Sequence, residues 1–356
     1  MSEKRQSEDG PQQPAVKKAR VHVDTSKPSA LAKPTGGRKY TVSIAVPGGI
    51  IANAQTLELK TALAGQIARA AAIFNVDEIV IFDEEAGKAG STLDKNGYER
   101  NGGASEPNIF LARILQYLET PQYLRKAIFP MHRDLRFAGL LNPLDCPHHL
   151  RIEDDFPYRE GITLPTNSGD PDRDTMVEKG KTLVECGLKR RVIVNRKIKE
   201  GVRVTLGMKK IKGSKNKEFI EADVVSPATP REKMGYYWGY QVRLADSISS
   251  VFTESPHAEG YDLTLGTSER GKDLAKVTPE LPKFKHLLLV FGGVAGLEYA
   301  VDNDSGLEIE GKDAEEVFDR WINVAPEQGS RTIRTEEAVY ITLAQMRSCI
   351  TQKGTR

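Results

Sequence analysis

Several features are missing from this chain of 356 residues, and each absence removes a class of function. No run of about eighteen apolar residues occurs, so no transmembrane helix is expected. The N-terminus is polar and has no apolar signal core, so secretion is not expected. Cysteine is scarce. Cys146, Cys186 and Cys349 are odd in number and far apart, which gives neither a disulfide framework nor a metal motif and suits a reducing compartment. No GxxxxGK[ST] stretch is present, which argues against a P-loop hydrolase. No Ser-His-Asp arrangement is recognisable. The six histidines include the pair His148-His149, for which the sequence offers no acidic or sulfur partner at metal spacing. The pair reads as a loop at a domain junction, and no metal is expected.

What is present describes an ordinary globular composition, with 39% hydrophobic and 28% charged residues. The length allows one large domain and a smaller one. The net charge of +2 hides an asymmetry: Lys179 to Lys217 carries fourteen Lys or Arg against two acids, Glu185 and Glu200. A solvated surface normally mixes signs. A one-sided stretch this dense favours a polyanion through phosphate neutralisation and counterion release. Lys189, Arg190, Arg191, Arg196, Lys197, Lys209 and Lys210 are the candidate nucleic-acid contacts; a merely soluble basic surface is the alternative.

Four regions follow from pattern. Residues 1–38 read as a disordered basic tail without apolar period. Its Lys17-Lys18-Ala19-Arg20 fits a nuclear import signal, a nucleic-acid patch or a plain solvated tail. Residues 39–150 begin an α/β domain. Tyr40–Val46 alternates like a strand, Thr56–Phe74 places Leu59, Leu63, Ile67, Ala71 and Phe74 at helical spacing, and Val76–Asp83 is a second buried strand. Gly87–Pro107 reads as a loop, Asn108–Leu118 as a helix, and Pro121 opens a short helix through Ala127. Residues 151–232 hold short strands broken by Gly, Pro and Asp, the pattern of a small barrel. The clearest are Val192–Val194, Val202–Leu206 and Phe219–Val225.

Residues 233–356 return to α/β. Tyr236–Arg243 is aromatic and suits either core packing or base stacking, with packing preferred, and Leu244–Thr253 reads as a helix. Three strand-then-loop units follow. Tyr261–Leu265 runs into Gly266–Gly271, His286–Val290 into Phe291–Glu298, and Val317–Val324 into Ala325–Thr332. Ligands of open α/β sheets sit outside the carboxyl ends of the strands, so these loops read as one composite pocket. Gly292-Gly293-Val294-Ala295-Gly296 has the wrong glycine spacing for a dinucleotide fingerprint, and no helix pattern follows it directly. That disfavours a nucleotide-dependent oxidoreductase. Thr335 is placed to cap a last helix, with Glu336 and Glu337 in its first turn and Ala338, Ile341, Leu343, Ala344 and Met346 inward.

Five stretches carry a resemblance. Leu263–Gly271, Val290–Gly293 and Gln328–Ala338, with Ala64–Ala70 and Leu140–Asp145 before them, closely resemble the SPOUT methyltransferases. The branch is the one that holds a centromere-associated human member and archaeal relatives. The resemblance runs from about Tyr40 to Met346. It implies a SPOUT trefoil-knot α/β fold with an inserted small OB-like β-barrel, a homodimer, and S-adenosylmethionine bound in the knot loops. It further implies transfer of a methyl group to RNA, with a uridine ring nitrogen of ribosomal RNA preferred and the ribose 2′-hydroxyl behind it. Thr267, Gly292, Gly293, Gly296, Asn323, Gln328, Gly329, Ser330 and Thr332 are then the expected cofactor contacts. Arg270 is the expected catalytic cation, with Arg331 and Arg334 as further candidates; an ion pair with Glu269 or another neighbour is the plain alternative for Arg270. The expected location is nuclear or nucleolar, with the cytoplasm also open. An RNA-binding scaffold without catalysis is the competing class, and the intact glycine loops argue against it.

Overall fold

The seven residues Thr41–Pro47 (β1) are buried throughout, as a strand covered on both faces must be. The computed structural model describes residues 34, 36–86, 107–165, 172–209 and 219–355. The basic tail and most of the expected loop at 87–107 lie outside those residues, as does Lys210. After β1, helix α1 (Leu57–Ile73) begins where the Thr56 hydroxyl accepts from Leu59 N at 3.3 Å. Its inward face is Leu63, Ala64, Gly65, Ile67, Ala68 and Ala71, mostly small residues that allow close helix packing. Leu59, expected inward, is 55% exposed. Strand β2 (Glu78–Phe82) follows, then helices α2 (Pro107–Glu119) and α3 (Gln122–Ile128).

The barrel comes next, with more strands than the three singled out from sequence. Strand β3 (Tyr158–Thr163) leads through α4 (Arg173–Glu178) to β4 (Thr182–Glu185), β5 (Val192–Val194), β6 (Arg203–Met208) and β7 (Ile220–Val225). They close in the order β3-β4-β5-β7-β6, with β5 and β7 parallel and the other pairs antiparallel. Val184, Val192, Val194, Val204, Leu206 and Ala222 fill its interior.

The chain then returns to the α/β part through α5 (Thr229–Met234), β8 (Gln241–Ala245) and α6 (Ile248–Thr253). The helix expected over Leu244–Thr253 is therefore shorter, because Leu244 and Ala245 end a strand paired with Ile81 and Phe82. Strand β9 (Leu263–Asp273), the short α7 (Leu274–Val277), β10 (His286–Val290), α8 (Gly296–Asp302), β11 (Arg320–Asn323) and the long α9 (Thr335–Lys353) complete it. All six strands of the sheet are parallel, in the order β11-β9-β10-β1-β2-β8. Three readings change here. Helix α8 does follow the glycine loop directly, entered through Gly296 at φ +79°. Val317 ends a 3-10 turn, not a strand, so β11 starts only at Arg320. Ala344 of α9 faces outward, and Val339, Leu343, Met346 and Ile350 form its buried side.

Barrel and sheet are joined by a buried polar cluster. Arg203 of β6 grips both oxygens of Glu119 at the end of α2, at 2.6 and 3.0 Å, and donates through Nε to Glu160 of β3 at 2.8 Å. Thr205 and Trp238 donate to the other oxygen of Glu160 at 2.6 and 2.7 Å. Burial alone would raise the Glu119 carboxyl, but Arg203 and His148 outweigh it and hold it at about 2. Arg203 was counted in the basic surface stretch, yet it is turned inward because these two carboxylates are buried and need it. Tyr237, Trp238 and Tyr240 are buried too, so that aromatic stretch serves packing.

Candidate active site

Loops at the carboxyl ends of β9, β10 and β11 stand side by side, because those strands are neighbours in the sheet. The first is not a simple loop. β9 stays extended to Asp273, and its pairing with β11 jumps from Trp321↔Gly266 to Ile322↔Lys272. Residues 267–271 therefore bulge from the ladder. Gly266 is required there, since a Cβ would lie 2.5 Å from the Trp321 ring. Asn323 holds the bulge: its amide donates to Glu269 O at 2.8 Å, and its oxygen accepts from Ala325 N at 2.9 Å. Both functions of the Asn323 side chain are thus used within the protein. Thr267 donates to Val290 O at 3.1 Å and so ties the bulge to the second loop.

The second loop, Phe291–Ala295, turns tightly. A Cβ on Gly292 would fall 2.7 Å from the backbone of Gly296 and Leu297, so a side chain there would displace the start of α8. Thr335 donates to Gly292 O at 2.8 Å. The hydroxyl expected to cap α9 is spent on this loop, and the N-cap is Arg334, whose N–H donates to Glu337 at 2.9 Å. In the third loop Glu327 has φ +59°, Gln328 donates to Ser330 O at 2.9 Å and Ser330 to Thr332 O at 2.9 Å.

Arg270 projects from the bulge, with its side chain 72% exposed and Nη1 3.8 Å from Glu298 Oε1. Its ion-pair neighbour is Glu298 of α8 and not Glu269. Ser268 donates to the same Glu298 oxygen at 3.4 Å. Arg331 and Arg334 are exposed on the third loop and the entry of α9. The amide groups of Gly292, Gln328 and Gly329 form no hydrogen bond among the described residues, while Gly293 is bridged to Gly296 within its own loop. Open backbone donors beside residues without side chains suit the acceptors of a nucleoside and a carboxylate.

The basic face of the barrel is partly neutralised. Lys209 pairs with Asp223 at 2.8 Å and Arg191 with Asp172 at 3.2 Å. Lys189, Arg196 and Lys197 are exposed, and Arg190 is half-buried.

Two features escaped the sequence. Glu84 lies against Gly293, and one Glu among three successive acids after a strand carries no periodic signal. Cys146, His148 and His149 bring a sulfur and two ring nitrogens within 4.8 Å of one another. A sulfur partner for the histidine pair therefore exists two residues before it. The histidines are held by Glu119: its carbonyl oxygen accepts from His148 Nε2 at 2.9 Å and His149 Nε2 at 2.7 Å.

Residues 41–346 match the model of the family described as "Putative RNA methyltransferase". The chain is 50% identical over 320 residues to the 28S rRNA (uridine-N(3))-methyltransferase of Mus musculus, covering 90% of this chain and 79% of that protein. Against the Homo sapiens protein of the same name identity is 49% over 328 residues, 92% of this chain and 83% of that one. The Drosophila melanogaster protein of that name is 49% identical over 312 residues, 86% of this chain and 61% of its own length.

Proposed function

The chain belongs to this RNA methyltransferase family, and we propose from that premise that it transfers a methyl group from S-adenosylmethionine to N3 of a uridine in large-subunit ribosomal RNA. The observation that carries this is the juxtaposition of the glycine loop 292–296, with the free amide of Gly292, and Arg270 on the neighbouring bulge. The relatives named for uridine-N3 methylation of 28S rRNA support the acceptor.

Bound there, S-adenosylmethionine supplies a methyl group already activated on a sulfonium. The protein's task is then orientation and charge. Backbone groups of Gly292, Gly293, Gln328 and Gly329 hold the donor, with Gly296, Ser330 and Thr332 completing the loop walls. Thr267 and Asn323 act one step back, by fixing the bulge to Val290 and Ala325. The Arg270 guanidinium is planar and offers paired donors. It lowers the cost of the negative charge that develops on the uracil ring as N3 loses its proton. The barrel's exposed Lys189, Arg196 and Lys197 hold the RNA backbone.

In this reading the last segments thread as a trefoil knot. The support is the path of the chain: β11 lies beyond β9, yet α9 returns to pack with α1 while Thr335 grips the second loop. The same reading gives a homodimer and a nuclear or nucleolar location. Calorimetry tests the donor. S-adenosylmethionine or its demethylated product should bind and NAD should not; tight NAD binding without response to the sulfonium compound overturns the reading.

A further inference from the structure

Three acids follow β2, and two of them have partners. Asp83 Oδ1 accepts from Glu85 N at 2.9 Å, and Glu85 Oε1 accepts from the Tyr299 hydroxyl at 2.9 Å. Glu84, half-buried between them, forms no hydrogen bond or ion pair among the described residues. Its carboxylate rests on two glycines from different strand ends. A Cβ on Gly49 would stand 2.0 Å from Glu84 Oε1, and one on Gly293 would stand 2.5 Å from Oε2. Gly49 follows β1, and Gly293 belongs to the candidate donor loop. A side chain at either place would push the carboxylate aside, so as it stands the site has an unpaired anion lying on its second loop.

Methylation at N3 must remove a proton from a ring N–H, and a positioned acceptor for it accelerates the step. Among the described residues no imidazole stands at the carboxyl ends of the strands. His286 opens β10 at the opposite end, stacked on His257 at 3.6 Å. His148 and His149 lie at the barrel junction, and His132 beside Asp134. Among the carboxylates near the loops, Glu298 is engaged by Ser268 and Arg270, and Glu337 by Arg334 N.

We propose that Glu84 is the general base that accepts the N3 proton of the target uridine, an inference that rests on the uridine-N3 reading above. The N3 lone pair forms the bond to the methyl carbon, the carbon–sulfur bond of the sulfonium breaks to leave a neutral thioether, and the N3 proton passes to a Glu84 oxygen. Water takes that proton after the product leaves. Burial raises the Glu84 carboxyl above its ordinary value, with Glu85 and Asp83 adding to the effect. The Gly49 and Gly293 segments bring only backbone to it, so no cation offsets the rise. A raised carboxyl is a better proton acceptor.

The test is single-turnover methylation of a ribosomal RNA fragment by the wild-type protein, Glu84→Gln and Glu84→Asp between about pH 5.5 and pH 9, with binding of the demethylated donor measured beside it. Glu84→Gln should be slower by about 100- to 10,000-fold at neutral pH. It should bind the demethylated donor within about threefold of wild type. Its residual rate should climb about tenfold per pH unit, as hydroxide replaces the carboxylate, while the wild-type rate levels off above its carboxyl pKa. Glu84→Asp should be slow but keep the levelling. A Gln variant within about threefold of the wild-type rate overturns the inference. So does a slow variant with the wild-type pH profile, or one that has lost donor affinity, since either marks a structural role. Absence of 3-methyluridine with the wild type overturns the uridine reading and this inference with it. Wild-type product beside an unimpaired Gln variant overturns only the inference.

Discussion

The hydroxyl of Thr335 donates to the carbonyl of Gly292 at 2.8 Å, so the first residue of α9 holds the glycine loop after β10 in place. Two segments 43 residues apart in sequence thus share one wall of the site. Thr335→Val keeps the shape and removes the donor, leaving the Gly292 carbonyl without its partner. A bond of this kind contributes about 1 kcal/mol, so affinity for the demethylated donor should fall about fivefold, read by calorimetry. Unchanged affinity would mean that the loop does not depend on α9.

The barrel's role is open to a salt titration. Lys189, Arg196 and Lys197 are exposed, whereas Arg203 is committed to Glu119 and Glu160. Replacing the three exposed residues by Ala should weaken RNA binding and reduce the slope of log K against log salt by about 2 to 3, with donor binding preserved. An unchanged slope would remove this face from the RNA path.

The junction between barrel and sheet should make stability depend on pH. Burial, with His148 beside it, lowers His149 from its ordinary value near 6.5 to about 3. A ring whose folded pKa is depressed contributes stability that is full above its unfolded pKa and is lost as pH falls through the window down to 3. The loss approaches about 1.4 kcal/mol per pH unit. Glu119, depressed to about 2, adds a further loss only below its unfolded value of about 4.3. Urea unfolding between about pH 7 and pH 5 should therefore show falling stability. His149→Gln should flatten that fall while keeping a donor toward the Glu119 carbonyl. Equal wild-type stability across the window would contradict the assignment.

How much of this was legible in the sequence follows the strength of the local signals. The β-branched run at Tyr40–Val46 and the capped helix after Thr56 were plain, because both elements bury a regular stripe. The boundary inside Leu244–Thr253 was not, because β8 is half-buried at a sheet edge and lacks a clean period. The stretch Gly266–Gly271 looked like a loop from its polar, glycine-bearing composition, yet it continues β9 as a bulge. In the site, the glycines and Arg270 were visible through their strand-then-loop setting. Glu84 and Thr335 were invisible as site residues, since each acts on a loop brought near only by the sheet order. Arg203 was miscounted for the same reason: its partners Glu119 and Glu160 lie 84 and 43 residues away.

Arg270 tests whether the pocket is chemical. Its side chain is exposed and only loosely paired with Glu298 at 3.8 Å, so Arg270→Ala should leave the melting temperature and most donor affinity intact. The loss of one fixed cation should slow transfer by about 100- to 1,000-fold, measured by single-turnover transfer of labelled methyl to RNA. A folded, donor-binding variant with wild-type transfer would refute this role.

The most direct measurement is nucleoside mass spectrometry of large-subunit ribosomal RNA after incubation with the protein and labelled S-adenosylmethionine. The label should appear in 3-methyluridine and should fall sharply with Arg270→Ala over the same short incubation. Label in a ribose 2′-O-methyl nucleoside would contradict the base reading. No label in any nucleoside, from protein that binds both RNA and donor, would contradict catalysis itself and leave an RNA-binding scaffold of the same fold.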